Sequence, residues 1–245
     1  MELLSVISVV MVMGVILAPA VGGLRGASDL TRSAYDIQGI LDQARAYAMA
    51  NNTYVYVGFS EVDVSQPTTS KPQAAGVGRL AIAAVASRDG TPGYDMKSPG
   101  ISSPAISNSN LTAISKLQRF ENIHLADLGS APPADGGMAR PGIPDPQSGY
   151  PNYRLGNPAA ASNCVTPFEW PVDSASNGGQ YSFKIVVNFD PQGVARIQGG
   201  TNTDHIPPYM EIGLQPTHGN SISTAGNTVA IQIDGMTGTT RIYRP

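Results

Sequence analysis

A carboxylate stands at the edge of a long uncharged run. Glu2 precedes 22 residues, Leu3 to Leu24, that carry no charge at all. An acid beside so apolar a segment is costly to desolvate and needs a positive partner. The chemistry it suggests is charge pairing, not bond making. The other reactive side chains are dispersed. His124, His205 and His218 fall in separate segments, and none has the HExxH spacing of a metal site. Cys164 is the single cysteine, which excludes an intrachain disulfide and a four-cysteine zinc site. No Walker loop and no GxSxG elbow is present. Asp234-Gly235-Met236-Thr237-Gly238 reads as a hairpin turn without the spacing of a calcium loop. Arg241 and Arg244 are too few to hold several phosphates, and the net charge is −3, so no nucleic-acid partner is expected. The reading at this point is a non-enzyme: no catalytic residue, no cofactor, no metal.

The elements that must position Glu2 are helical. Only 13% of residues are charged, against a typical ~25%, and the deficit is greatest at the N-terminus. A helix of 22 residues spans ~33 Å, enough for a bilayer core of ~30 Å. Residues 1–26 are therefore predicted as a transmembrane segment. A helical period continues over 27–52: Leu30, Ala34, Ile37, Ile40, Leu41, Ala44 and Ala48 share one face. Asp29, Arg32, Asp36, Asp42 and Arg45 lie mostly off it, and Asp42 and Arg45 are spaced to pair on the surface. Asn51-Asn52 is a stop signal. Pro19, Gly14 and Gly22-Gly23 weaken the middle of the helix.

Here the residues resemble a known family. Glu2-Leu3-Leu4-Ser5-Val6-Ile7-Ser8-Val9-Val10, with Pro19 seventeen residues after the glutamate, is similar to the start of type IV pilins and type II secretion pseudopilins. Ile37-Gln38-Gly39-Ile40-Leu41-Asp42-Gln43-Ala44-Arg45-Ala46-Tyr47-Ala48, running on to Val55, resembles the helix-to-strand junction of GspH/FimT minor pseudopilins. The wording is most similar to the Verru_Chthon cassette protein D group. The resemblance implies an assembly role for Glu2, paired with the N-terminal amine of a neighbouring subunit, and a kink or melted stretch at Pro19. It implies a single-pass inner-membrane protein with its C-terminal head in the periplasm, and other pilins or pseudopilins as filament partners. Set against the family pattern, the basic leader is missing and Met1 stands where Val or Ile is usual. The expectation is a start further upstream, with a leader cut by a prepilin peptidase.

The rest of the chain, 53–245, is predicted as a β-rich head. Strands are expected at Thr53–Phe59, Leu80–Ala86, Phe120–Leu125, Tyr181–Phe189, Val194–Gln198, Tyr209–Leu214, Thr228–Ile233 and Thr239–Tyr243. Asp190-Pro191-Gln192-Gly193 supplies a turn. The fold class expected is α+β: a long N-terminal helix, membrane-spanning in its first half, packed on mainly antiparallel strands. Residues 126–171 are dense in proline and glycine and are expected to form an insertion in the head. A second functional reading places an anchored adhesin or substrate-recognition surface there, with Tyr150, Tyr153 and Trp170 as candidate partner contacts.

Overall fold

The computed structural model describes residues 2–93, 108–129, 138–145, 152–157, 168–172, 178–197, 205–223 and 227–245; within 2–27, side chains are described at 6, 7 and 11–13 only. Helix α1 runs from Glu2 to Asn51. The helical backbone passes through Pro19 without interruption. Its C-terminus is closed by the chain's own chemistry. Asn52 takes a left-handed φ of 49°, which asparagine tolerates better than most residues. That turn lets the Thr53 amide donate back to the Ala48 carbonyl at 3.1 Å, satisfying an otherwise orphaned acceptor. Asn51 Nδ2 caps the Tyr47 carbonyl as well.

The predicted apolar face is the one that is buried. Leu30, Ala34, Ile37, Ile40, Leu41, Ala44 and Ala48 are all 4% exposed or less. They pack against two antiparallel sheets. The first has the order β3-β2-β1-β8-β9, with β4 also on β2. Its strands are β1 (Val55–Asp63), β2 (Gly78–Ser87), β3 (Leu111–Ala113), β4 (Gln118–Glu121), β8 (Ile185–Phe189) and β9 (Ala195–Ile197). The second has the order β11-β10-β12-β13, with β5 also on β10. It comprises β5 (Ile123–Ala126), β10 (Tyr209–His218), β11 (Ser221–Ile222), β12 (Val229–Asp234) and β13 (Thr240–Tyr243). Val55, Val57 and Phe59 of the first sheet and Met210, Ile212, Leu214, Val229, Ile231 and Ile233 of the second join the helix in one core.

The first sheet is covered on its other face too. A ribbon of β6 (Phe168–Trp170) and β7 (Tyr181–Phe183) lies over Tyr56, Ala81, Ala83 and Val85. This explains why all ten residues of β2 are buried and why its sequence reads as an almost unbroken apolar run. Gly58 is where the ribbon comes closest: a Cβ there would stand 2.6 Å from Cβ and Cγ of Phe183. Phe168 and Phe183 meet with ring centroids 4.9 Å apart.

Between β4 and β5 the chain passes from the first sheet to the second at a single residue. β4 pairs with β2, and β5, which begins two residues later, pairs with β10. Asn122 makes the corner with a φ of 59°. The expected strand Phe120–Leu125 is therefore two strands in two sheets. Tyr181–Phe189 is likewise divided at Lys184, its first part in the ribbon and its second in the first sheet. β3, β6 and β11 have too few alternating residues to be seen as strands in advance.

Two expectations are corrected. The α+β class gives way to a mostly β one: where side chains are described, 40% of residues are strand and 19% helix. No helix among the described residues is long and apolar enough to cross a membrane, so the single-pass inner-membrane placement is not supported. The physical reason lies in the part of α1 that carries the core face. Of the five charges between Asp29 and Arg45, Asp29, Arg32 and Asp36 are exposed to solvent, while Leu30 to Ala48 keep one face in a protein core.

The helix–sheet contact can be tested directly. Leu41→Ala is expected to cost ~2–5 kcal/mol, whereas Tyr35→Ala, 60% exposed in the native state, should stay within about 0.5 kcal/mol. Urea unfolding midpoints at constant m-value measure both.

Candidate assembly surface

Two hydrogen bonds fix the helix to the last strand. Gln38 Nε2 donates to the Thr240 carbonyl at 3.3 Å, and the Thr240 hydroxyl donates to Asp42 Oδ1 at 2.8 Å. Asp42 thus faces β13, not Arg45, and the surface pair expected from their spacing is replaced by a helix–strand bond. Arg45 instead enters a notch between two turns. One is Asp190–Gly193, which joins β8 to β9. The other is Asp234–Gly238, which joins β12 to β13. Both glycines have positive φ and no room for a side chain. A Cβ on Gly193 would lie 2.8 Å from Met49 Sδ and 3.3 Å from Arg45 Nε, and one on Gly238 would lie 3.1 Å from that same nitrogen.

The Arg45 Nε is buried and has no hydrogen-bond acceptor among the described residues. A desolvated donor left so costs on the order of 1–3 kcal/mol. The carboxylates of the two turns are already engaged. Asp190 accepts the amides of Gln192 and Val194, and its other oxygen meets Arg196 at 3.0 Å. Asp234 accepts the Thr237 amide at 2.8 Å. Met49 and Met236, 40% and 71% exposed, belong to the same helix end and hairpin turn.

Other charged clusters hold the fold. Arg140 Nε donates to Glu211 at 2.6 Å and its NH2 donates to the other oxygen at 3.2 Å; Gln232 Nε2 donates to Glu211 at 2.9 Å. Both charged side chains are 2% exposed or less. Residues 138–145 are thereby fastened over the second sheet. Glu211 also exchanges backbone bonds with Tyr153 and Leu155, so 152–157 runs along β10. Arg154 pairs with Asp127 at 2.8 Å and Asp145 at 2.9 Å. His124 Nδ1 meets Glu61 at 2.8 Å, joining β5 of one sheet to β1 of the other. No group of three or more potential metal ligands comes together among the described residues.

An open polar cleft of about 490 Å³ lies at the C-terminal end of α1, lined by residues that include Tyr47, Asn51, Asn52, Arg88 and Asp89. Asp89 is held down to about 2, chiefly by the Thr91 amide and then by the Ser87 and Thr91 hydroxyls. Its carboxylate is committed to its own turn.

The residues singled out from the sequence are not brought to one place. Glu2 opens the helix and Pro19 lies within it; their side chains are outside the described residues, as are Tyr150 and Cys164. Tyr153 is 5% exposed and belongs to the core. Trp170 is partly buried, opposite Tyr181 in the ribbon and packed on the second apolar cluster. Arg45 as an unpaired cation was not visible in the sequence, because its neighbour Asp42 is at pairing distance along a helix. Glu211 left a faint signal: a carboxylate in the middle of an apolar strand needs a buried cation. No family model, no curated protein and no solved structure matches the chain.

Two measurements follow from this geometry. Arg140→Ala leaves Glu211 charged and buried, and is expected to cost ~3–5 kcal/mol in chemical unfolding. For Asp89 the folded value lies below the ordinary carboxylate value, so its contribution is present above about pH 4 and is lost as pH falls toward 2. A carboxyl-detected NMR titration should place its midpoint near 2, and Thr91→Val should raise it.

Proposed function

We propose that this chain is a structural, non-enzymatic subunit of a pilin-like or pseudopilin filament, and that it assembles through α1. One observation carries the reading. From Leu30 to Ala48 one face of the helix is sealed into the core, while the same helix displays Val6, Ile7, Met11, Val12 and Met13 at 50–69% exposure. A row of exposed apolar side chains marks an interaction surface. Borne on a long helix, it suits packing against equivalent helices of other subunits. A contact of that kind is heterologous, and where its rotation does not close it builds a filament. The partners are then other pilin-like chains, and Glu2 sets register by pairing with a neighbour's amine, as the resemblance of residues 2–19 implies.

Glu2→Ala and Val12→Asp test the reading in the full chain. Both are expected to abolish co-sedimentation with pilin-like chains encoded beside it, with the thermal melt of the β region unchanged. Wild-type co-assembly of both variants overturns the proposal.

A further inference from the structure

Among the described residues Arg45 has no carboxylate partner, and its Nε is buried without an acceptor. The carboxylates of the surrounding turns, Asp190 and Asp234, are held by their own turn amides, and Asp42 by Thr240. Two exposed methionines, Met49 and Met236, belong to the helix end and the hairpin turn that form the notch. Arg45 as a whole is half-buried, so a carboxylate presented from outside the chain can pair with the part that reaches solvent.

The chain carries a matching group. Asp29 is exposed on α1 and makes no hydrogen bond or ion pair among the described residues. Of the other exposed helix acids, Asp36 is beside Arg32 at 3.8 Å and Asp42 accepts the Thr240 hydroxyl. Sixteen residues separate Asp29 from Arg45, which is about 24 Å along a helix and about 160° around it. The two therefore sit on nearly opposite faces and cannot meet within one chain. Between two chains they meet head to tail.

We propose that Asp29 of one copy docks on Arg45 of a second copy, in the notch between the Gly193 and Gly238 turns. This rests on the filament reading and adds a polar register contact to it, with an offset of about 24 Å along the helix. Because donor and acceptor surfaces differ, the contact repeats without closing.

The test uses full-length chains. D29R and R45D are each expected to weaken self-association about tenfold or more in sedimentation velocity, since a like-charge contact replaces an attractive one. The exchanged double variant D29R/R45D should recover it. Asp29 supports nothing in the fold, so D29R remains informative even where R45D is shown by circular dichroism not to fold. In a Cys164→Ser background, D29C and R45C chains mixed and oxidised should form D29C–R45C heterodimers in preference to either homodimer. Association unaffected by D29R, or no preference for the mixed disulfide, overturns the contact while leaving the filament reading standing. A wild-type chain that associates neither with itself nor with pilin-like partners overturns both.

Discussion

The burial of one helix face between two sheets is the constraint on which the rest depends. Neither sheet closes on the other. What they share is the row from Leu30 to Ala48, which faces Val55, Val57 and Phe59 on one side and Ile212, Ile231 and Ile233 on the other. Without that row each sheet would expose an apolar face, and the turn at Asn52 that starts β1 would have nothing to terminate. The Schellman-type closure, the Thr240 bonds to Gln38 and Asp42, and the wedge of Arg45 between two turns are all local consequences of where this helix lies.

Much of that arrangement was legible in the residues. The 30-34-37-41-44-48 spacing identified the buried face, and alternation identified most of the longer strands. What was not legible is instructive. Asn122 turns one apparent strand into two because a left-handed asparagine leaves the apolar alternation on either side intact. The proline-rich stretch reads as an insertion in the head without a period of its own; within it Met138, Ile143 and Leu155 are buried, and Arg140 reaches a carboxylate 71 residues away. Such contacts are set by tertiary geometry and have no local period. The membrane expectation came from counting an uncharged run, whereas from Leu30 to Ala48 one face of the helix is buried in a protein core.

The proposed assembly surface was legible only in part. Glu2 and Pro19 stand out because charge and proline are rare in an apolar helix. Arg45 does not, because an acid three residues away gives it an apparent partner. The structure assigns that acid to a strand hydroxyl and, among the described residues, leaves the Arg45 Nε without an acceptor, a reversal brought about by the packing of β13 on the helix.

The corner at Asn122 has a mechanical consequence. One short chain segment belongs to both sheets, so β4 and β5 cannot separate without undoing the corner, and the Glu61–His124 contact ties the same two sheets a second time.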